Sequence, residues 1–444
     1  MNDSKRRRQF LVSTDGPSMV SHAGTAALVE LSEGLGIMAA LREPLAPLRQ
    51  RVPRHRPEAV VRDLAVSPAD GGTCLSDLAA LREEPELFGE VASDPTAYRV
   101  VRDLGEMGLG AIREARAAAR SKAWEVCEPP EQVILDFDAT LVTTRTHKEE
   151  AAPTYKRSFG FHPLLCYLAE RREALAGILR PGNAGSNTAS DHIEVLDLAR
   201  AQIPETIRRD RPMLARADSA GASHKFVKAL RERGVQFSIG FSLSPTVQRA
   251  IMSTPKQDWV PALRADESER PGAQVCELTD RVEDIIEWPE GSRIICRRER
   301  PHPGAQLSFT DLEGWRYQVF LTDPGGDDLA QLELCHRRRS WCENCIREGK
   351  DTGLKKLPFH AFALNQVWLE LVLLAQDLLA HFRNLCLAQH AQQWEPKTLR
   401  FRLLHVAARL SRSGRRLHLR LSKGWRWRRL LQGAFLRVQA IAVT

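Results

Sequence analysis

The sequence lacks the features of a secreted, membrane-spanning or zinc-binding protein. Its N-terminus, MNDSKRRRQFLVSTDG, is basic but has no apolar segment of the kind that a secretory signal requires. The most apolar stretch, WLELVLLAQDLLAHF at 368–382, is too short to cross a bilayer and carries Glu370 and Asp377, so it predicts a buried or amphipathic helix. The nine cysteines include one CxxC, at Cys342 and Cys345, and no second pair that would complete a zinc site. Scattered thiols of this kind are typical of a protein of the reducing cytoplasm.

Acidic residues are in deficit. The chain has 64 Lys and Arg against 56 Asp and Glu, a formal net charge of +8. From Lys397 to Thr444 there is no Asp or Glu, and arginines alternate with Leu, Val and Trp, which predicts a strand and a helix with one packed face. The other face is either solvated or contacts DNA phosphates, and the shortage of acids favours DNA. The tail arginines predicted to contact DNA are Arg415, Arg416, Arg426 and Arg428.

The chain has 444 residues, more than one compact core usually contains, so several regions are expected. The predicted secondary structure changes along the chain. Residues 1–125 predict a helical N-terminal region, and 126–245 alternate strands and helices as in a mixed α/β sheet. Short strands at 246–326 indicate a β-rich insertion. Helices return at 327–395, and 396–444 form the basic C-terminal segment.

The stretch VILDFDATLV at 133–142 places two aspartates in an apolar strand. Asp136 and Asp138 are two residues apart and therefore share one face of the strand. Burying two like charges side by side is costly unless a cation, a proton or hydrogen bonds compensate. The pattern alone leaves open which aspartate binds a ligand.

One interpretation of this stretch is a phosphatase, because DxDxT after an apolar strand resembles the first motif of haloacid-dehalogenase-like enzymes. Asp136 would then be the nucleophile and Asp138 the general acid and base, with Mg²⁺ between them. Residues 1–135 precede the motif, although it usually opens the domain, and Ala139 stands where Gly is common. No suitable later Lys motif accompanies it.

A second interpretation brings together three distant acids around two metal ions. Asp218 ends the predicted strand PMLARAD and precedes a helix, which is where open α/β sheets place ligands. Glu343 lies in a predicted helix with Arg339 four residues before it and Lys350 seven after, all on one face. Carboxylates are hard oxygen ligands for Mg²⁺, and the cations could contact phosphate.

Each of these acids also has a simpler explanation. Asp218 could cap the following helix, and Glu343 could be a solvated residue that forms i,i+4 ion pairs. The spacing of Cys342 and Cys345 favours inert helix residues over zinc ligands or a redox pair.

Two tryptophans and two histidines complete the candidates. Trp288 and Trp315, in the insertion, could stack on a flipped DNA base, but packing in a strand core is the simpler prediction. His147 and His162 are predicted to be structural or surface residues.

The chain resembles DDE-type transposases of the bacterial insertion-sequence thirteen-eighty family, within the wider insertion-sequence-four-like, cut-and-paste group. The resemblance runs from about residue 20 to 435. It rests on these stretches: GGTCLSDLAALREEPELFGEVASDPTAYRVV, DFDATLVTTRTHKEEAAPTYKRSFGFHPLL, LRPGNAGSNTASDH, RADSAGASHKF and GLKKLPFHAFALNQVWLELVLLAQDLL.

The resemblance implies the site residues. The family's first acid is followed by x-Thr, which identifies it with Asp138, and its second with Asp218. The wider group's Tyr-x2-Arg-x3-Glu-x6-Lys pattern falls on His336, Arg339, Glu343 and Lys350, with His336 in place of Tyr. Asp138, Asp218 and Glu343 would then bind metal and catalyse the reaction, and His336, Arg339 and Lys350 would lie near DNA.

The resemblance also implies the fold and the partners. It predicts an RNase H-like mixed sheet with a β-rich insertion before the last acid, and a helical domain that precedes the sheet. The expected cofactor is two Mg²⁺ ions, which Mn²⁺ could replace. The expected partners are terminal inverted repeats and target DNA, bound by a homodimer in the bacterial cytoplasm at the nucleoid, with no membrane involved. A relative that binds DNA but has lost catalysis is the remaining alternative.

Overall fold

The structure of the chain is a computed structural model. It describes residues 18–48, 54–185, 188–301, 304, 311–326, 328–414 and 416–443. The α-helices are α1 (Ala26–Gly34), α2 (Ile37–Arg42), α3 (Pro57–Asp70), α4 (Ala79–Arg82), α5 (Pro85–Phe88), α6 (Asp94–Val126), α7 (Ala189–Ala201), α8 (Glu205–Asp210), α9 (His224–Glu232), α10 (Pro245–Ser253), α11 (Leu329–Arg337), α12 (Trp341–Gly349), α13 (Phe362–His381), α14 (Gln389–Gln392), α15 (Pro396–Leu399) and α16 (Arg428–Val443).

The strands form one large sheet and two small ones. They are β1 (Met19–Val20), β2 (Val133–Ala139), β3 (Val142–Thr143), β4 (Ala152–Pro153), β5 (Phe159–Phe161), β6 (Leu164–Leu168), β7 (Glu173–Ile178), β8 (Met213–Ala217), β9 (Val235–Phe241), β10 (Val260–Leu263), β11 (Glu269–Glu277), β12 (Arg293–Glu299), β13 (Asp311–Leu312), β14 (Trp315–Thr322), β15 (Ala408–Ser413) and β16 (Arg416–Leu421).

The core of the large sheet has the strand order β7-β6-β2-β8-β9. The pairs β7–β6 and β6–β2 are antiparallel, whereas β2–β8 and β8–β9 are parallel. Two antiparallel hairpin strands followed by parallel strands on the other side of the first strand are the RNase H-like arrangement. The predicted mixed α/β fold is therefore confirmed.

The β-rich segment continues this sheet instead of forming a separate layer. β14 pairs with β9, and the order runs on through β12 and β11 to β10. Three sequence-predicted strands of this segment correspond to β11, β12 and β14. The insertion is thus joined by backbone hydrogen bonds to β9, next to the strand that leads to Asp218.

β2 is the central strand of the core, and its two faces differ. Leu135 and Phe137 are buried, and the Phe137 ring packs edge-on against Phe226 of α9, with 5.5 Å between ring centroids. Asp136 and Asp138 point to the opposite face, where α12 packs on the strand. The period of two therefore separates an apolar face from the acidic one.

α13 is apolar nearly all round and is buried between α3, α6 and β7. Over Phe362–Cys386 the chain is long and apolar enough to cross a membrane, but 78% of an apolar 18-residue window within it is buried inside the protein. A helix that is hydrophobic on every side is expected in the core of a protein of this size. The prediction of a buried helix at 368–382 is confirmed.

The helical region before the sheet is joined to the core by buried ion pairs. Arg116 of α6 donates from Nε to Asp377 Oδ2 at 2.9 Å and also pairs with Glu370, both on α13. Arg120 donates to Glu173 Oε2 at 2.6 Å and to Asp377 Oδ2 at 2.9 Å. These side chains are almost fully buried, so each charge depends on its partners across the contact.

The C-terminal segment differs from the prediction of one strand and one helix. It contains two antiparallel strands, β15 and β16, followed by α16, and β1 from the start of the chain pairs with β15. The apolar and basic residues alternate on both sides of Gly414, whose φ of +61° allows the chain to reverse between the strands. This alternation of apolar and basic residues, with a period of two, is the sequence feature that indicates the β-hairpin.

Candidate active site

Asp138 lies near the carboxyl end of the central strand β2. Its side chain is 17% exposed, and Oδ1 accepts a hydrogen bond from its own neighbour, the Ala139 backbone N–H, at 2.8 Å. The strand emerges from the sheet here, so the carboxylate faces out of the core while its backbone is held in the ladder with β6.

Asp136 is buried beneath it and is already paired. Arg216 on β8 lies beside Asp136 in the parallel register and binds both oxygens, Nε to Oδ1 at 2.6 Å and Nη2 to Oδ2 at 2.8 Å. Nη1 of Arg216 donates to the Cys335 carbonyl at 2.5 Å. Burial opposes the charge on Arg216, but the hydrogen bonds and charge of Asp136 outweigh it and raise the Arg216 pKa. The compensation for burying Asp136 is therefore an arginine.

Asp218 follows β8 and so stands at the same edge of the sheet as Asp138. Its Oδ1 accepts the Ala220 N–H at 3.0 Å and caps the short 3₁₀ helix Ser219–Gly221, whereas the next helix, α9, is capped by Ser223. The capping alternative is thus correct for the turn and wrong for the helix. Gly240 on β9 makes this approach possible, because a Cβ there would lie 2.8 Å from the Ser219 nitrogen.

Glu343 is an exposed residue in the first turn of α12, the helix that packs on β2. Its neighbours Cys342 and Cys345 are buried, and Cys342 Sγ lies 3.7 Å from the Asp136 carbonyl. Burial raises the pKa of both thiols, that of Cys345 to about 12. At neutral pH they are therefore protonated core residues, in agreement with the prediction that they are inert.

Asp218 and Glu343 both lie near Asp138. Burial raises the pKa of Asp138 to about 6, the charge of Arg339 opposes this, and the charges of Asp218 and Glu343 raise the pKa further. Both remote carboxylates therefore lie close enough to repel Asp138. Arg339 offsets the burial cost of Asp138 only in part, and carboxylates are the oxygen donors that suit a hard divalent cation such as Mg²⁺.

Two predicted cations lie beside this cluster. Arg339 Nη1 is 3.7 Å from Asp138 Oδ2, longer than a hydrogen bond, and among the described residues this buried nitrogen has no hydrogen-bond partner. Burial lowers the pKa of Lys350, the nearby charge of Lys156 lowers it further, and Asp138 raises it. Arg339 has a buried N–H group that makes no hydrogen bond within the described part of the chain, and Lys350 is partly buried near Asp138. Both cations could therefore bind an anionic ligand.

The three residues of the predicted helical face do not belong to one continuous α-helix. Arg339 lies in the 3₁₀ turn Arg338–Ser340, Glu343 in α12, and Lys350 begins the π-helical turn Lys350–Leu354. The structure nevertheless brings all three near Asp138.

His336 is held by protein contacts. Its ring stacks on Phe320, with 4.3 Å between centroids and 3° between planes, and Nδ1 lies 2.9 Å from Ser238 Oγ. Burial, Arg339 and Arg216 lower its pKa to about 3, so the imidazole is neutral. A DNA contact by His336 stays a prediction.

Sequence reasoning gave no role to His162, which lies beside the cluster. Burial lowers its pKa, Arg180 lowers it further, and the charge of Asp218 raises it, which indicates that the imidazole lies near that acid. Its Nδ1 is buried and has no hydrogen-bond partner among the described residues. An isolated His in an apolar stretch carries no sequence signal for such a position.

Beyond Asp218, a cavity of 530 Å³ opens toward the insertion. Asp218, Phe241 and Trp288 are among its lining residues. Trp288 is half-buried and stacks on His224, with 4.1 Å between ring centroids. Trp315 instead lies on β14, where the guanidinium groups of Arg298 and Arg300 cover its ring at 4.7 and 4.1 Å.

The predicted tail arginines are dispersed. Arg426 is exposed and lies over the Trp427 ring at 4.9 Å, and Arg428 begins α16 and donates to the Trp425 carbonyl at 3.3 Å. Arg416 lies on β16 opposite Ser413, and Arg415 falls outside the described residues.

An RNase H-like sheet with clustered carboxylates and cations at its edge is typical of metal-dependent enzymes that break and join phosphodiesters. A family model described as Transposase DDE domain group 1 matches residues 2–443, and the chain belongs to this family of transposases. The family assignment favours the transposase interpretation of DFDAT over the phosphatase.

The other comparisons add a similar structure. A chain from the cryo-EM structure of the piggyBac transposase synaptic complex with hairpin DNA is similar over 85% of this chain and 80% of that one, with 10% identity and a TM-score of 0.44. No curated protein matches the sequence.

Proposed function

We propose that this transposase binds the terminal inverted repeats of a transposon, cleaves the transposon ends and joins the freed 3′-hydroxyl ends to target DNA. The observation that carries the proposal is that Asp218 and Glu343, from two distant parts of the chain, lie near the buried Asp138, whose pKa is raised to about 6 first by burial and then by the charges of these two acids. Acids that repel one another at the edge of a sheet are destabilising unless a cationic ligand offsets the cost.

Asp138, Asp218 and Glu343 would hold two Mg²⁺ ions, which Mn²⁺ can replace. Bound in this way, two divalent ions activate the attacking oxygen and stabilise the leaving oxygen of a phosphodiester. Asp136 is excluded from the ligand set in this proposal because both of its oxygens are bound by Arg216.

The proposed reaction has two steps and needs no covalent enzyme intermediate. In cleavage, a water oxygen forms a bond to phosphorus while the bond to the 3′-oxygen breaks, which leaves a 3′-hydroxyl and a 5′-phosphate. In strand transfer, that 3′-hydroxyl attacks a target phosphorus and displaces the target's 3′-oxygen. Arg339 and Lys350 would contact the non-bridging oxygens and stabilise the added charge.

The DNA would extend beyond the acids. We assign the inverted repeats to the helical region 1–125 and to the basic segment 396–444, with exposed Arg426 on backbone phosphate and Arg415, Arg416 and Arg428 as further candidates. The half-buried Trp288, which lines the same cavity as Asp218, would stack on a base. A homodimer would pair the two ends in the bacterial cytoplasm at the nucleoid, and the chain would belong to the insertion-sequence thirteen-eighty family.

The decisive test is Glu343→Gln. Duplex DNA from the genomic flanks of the gene, with its inverted repeats, is incubated with the full chain and Mg²⁺, and strand cleavage is measured. The variant should lose cleavage by at least about a hundredfold, because Gln removes the charge of one metal ligand. It should still shift the same DNA in a gel.

The matched control is Glu131→Gln, because Glu131 is exposed and precedes the amino end of the strand that carries Asp138. It should cleave like the wild type. Cleavage that survives in Glu343→Gln would overturn the site assignment. A wild-type chain that binds the ends but cleaves with neither Mg²⁺ nor Mn²⁺ would instead identify an inactive DNA-binding relative.

A further inference from the structure

His22, Asp70 and His405 form a compact cluster that shares no residue with the acidic site. His22 Nδ1 lies 2.5 Å from Asp70 Oδ2. His405 Nε2 lies 2.9 Å from the Asp70 carbonyl oxygen and 3.1 Å from Asp70 Oδ1. One donor atom from each residue can be chosen so that all lie within 4.8 Å of one another. The two imidazole rings are 4.3 Å apart between centroids.

The backbone holds the two histidines in place. The N–H groups of Ala23 and Gly24 donate to the carbonyls of Val406 and Leu404, both at 3.0 Å, which joins the segment after His22 to the segment around His405. Gly24 is required for this contact, because a Cβ there would lie 1.9 Å from the Leu403 carbonyl oxygen.

The carboxylate between the rings is also fixed. Asp70 is the last residue of α3, and its Oδ1 accepts the Thr25 hydroxyl at 2.6 Å. Its side chain is 5% exposed, against 24% for His22 and 38% for His405. The cluster is therefore anchored on the buried carboxylate and open to water on the side of the rings.

His22 itself adopts a strained backbone. Its φ of +52° lies in the left-handed region, which is unfavourable for a residue other than glycine. Strain that surrounding contacts maintain at a ligating side chain is a recurrent feature of functional sites.

We propose that His22 Nδ1, His405 Nε2 and the Asp70 carboxylate bind a zinc ion, with water in the remaining position. Two imidazoles and one carboxylate are a donor set for borderline first-row metals and are a poor one for Mg²⁺, which prefers oxygen ligands. The site thus differs in chemistry from the three acids at Asp138.

Charge near the cluster is mixed. Glu84 contributes a negative charge that acts on His22, and Arg400 contributes a positive one that acts on Asp70. Arg400 donates to the Ala69 carbonyl at 3.1 Å and so is held beside the carboxylate. One nearby cation weakens a zinc site without removing its ligands.

Bound zinc would join three segments of the chain: the start of the described chain, the end of α3 and the approach to β15. Because the ligands are assembled by folding, metal bound at this site stabilises the folded chain. This role is structural and is independent of DNA cleavage.

The test uses the full chain with the substitutions Asp138→Asn and Glu343→Gln, which disable the acidic site, in buffer with millimolar Mg²⁺. After treatment with a chelator, Zn²⁺ is added and the melting temperature is followed; Co²⁺ is added separately and its visible spectrum is recorded. We expect one equivalent of Zn²⁺ to raise the melting temperature and Co²⁺ to give a spectrum of nitrogen and oxygen ligands without thiolate bands.

His405→Gln and His22→Gln should each weaken Zn²⁺ binding at least tenfold, whereas His418→Gln, an exposed histidine on β16, should not. Equal Zn²⁺ binding by the Asp138→Asn, Glu343→Gln chain with and without His405→Gln would overturn the proposal. A thiolate spectrum would overturn it too, because it would identify adventitious binding to cysteines. If a variant does not fold, loss of thermal stability on chelation of the unsubstituted chain, restored by Zn²⁺ and not by Mg²⁺, supports the site; no change overturns it.

Discussion

Arg216, on the neighbouring parallel strand, donates hydrogen bonds to both carboxylate oxygens of Asp136, from Nε to Oδ1 at 2.6 Å and from Nη2 to Oδ2 at 2.8 Å. The pair is buried beneath the edge of the sheet where Asp138 and Asp218 emerge. Two aspartates two residues apart on one strand therefore have opposite roles: Asp136 completes a structural ion pair, and Asp138 remains available to a ligand.

This difference gives a prediction for Asp136→Asn. The substitution leaves the Arg216 guanidinium buried without a counter-charge, and we expect the free energy of unfolding to fall by about 3 kcal/mol or more. Denaturant unfolding monitored by circular dichroism measures the change. A shift within about 0.5 kcal/mol of zero would contradict the structural role of the pair.

Asp138→Asn should change the free energy of unfolding in the opposite direction to Asp136→Asn. The folded-state pKa of Asp138 is raised to about 6, above its unfolded value, so its ionised form destabilises the metal-free protein. Asp138→Asn should therefore stabilise the chain by about 1–3 kcal/mol above pH 6 in EDTA. The gain should shrink as pH falls from about 6 toward the unfolded pKa, and it should diminish or reverse when Mg²⁺ is added.

Cleavage should depend on pH through the same carboxyl group. At the proposed metal site protons and Mg²⁺ would compete for Asp138, so activity should fall as pH falls through about 6 at low Mg²⁺, and a higher Mg²⁺ concentration should move the midpoint to lower pH. Initial rates across pH at two Mg²⁺ concentrations test this. A midpoint that is independent of Mg²⁺ would contradict metal binding by Asp138.

Arg339→Gln should have two separable effects. It removes the cation that lowers the pKa of Asp138, so the midpoint of the pH profile should rise. It also removes the proposed phosphate contact, so cleavage should slow by about tenfold or more. Arg338→Gln is the matched control, because the adjacent arginine turns toward the Ala265 carbonyl. An equal loss in both variants would indicate a general effect of charge.

The basic tail should contribute affinity that is independent of sequence. Arg426→Ala should weaken binding to any duplex and reduce the slope of log K against log salt by about 1, the value for one phosphate contact. Arg209→Ala removes another exposed positive charge, on α8, and should leave the slope unchanged. Binding is measured by fluorescence anisotropy at three salt concentrations.

Much of the sheet could be predicted from sequence, because period two and apolar content identify strands locally. β8 and β9 coincide with the predicted strands PMLARAD and VQFSIGFS, and β8 precedes the predicted helix, α9, whereas α10 after β9 was not predicted. The alternation of side chains along a strand cannot show which of two aspartates on the same face binds a ligand. It places Asp136 and Asp138 on one face, but only the parallel register with β8 shows that Arg216 reaches the first and not the second.

The remaining differences arise from contacts between distant segments. Arg339, Glu343 and Lys350 were expected on one helix, but local helical geometry changes from 3₁₀ to α to π across them, and spacing in sequence does not encode that change. The cluster of His22, Asp70 and His405 has no local signal, since its members come from both ends of the chain. The division of the chain at residue 125 remains a prediction.

The buried ion pairs of α6 bear on that division. Arg116 and Arg120 supply the counter-charges for acids on β7 and α13, and those acids would be left unpaired inside the protein if α6 were replaced by a foreign helix. A chimera that joins the first 125 residues of another transposase to this sheet would therefore need to import the matching arginines as well. The stability of α6 and that of the elements it pairs with, β7 and α13, depend on each other. Recombination between relatives should therefore yield folded proteins only when the crossover keeps α6, β7 and α13 from the same parent.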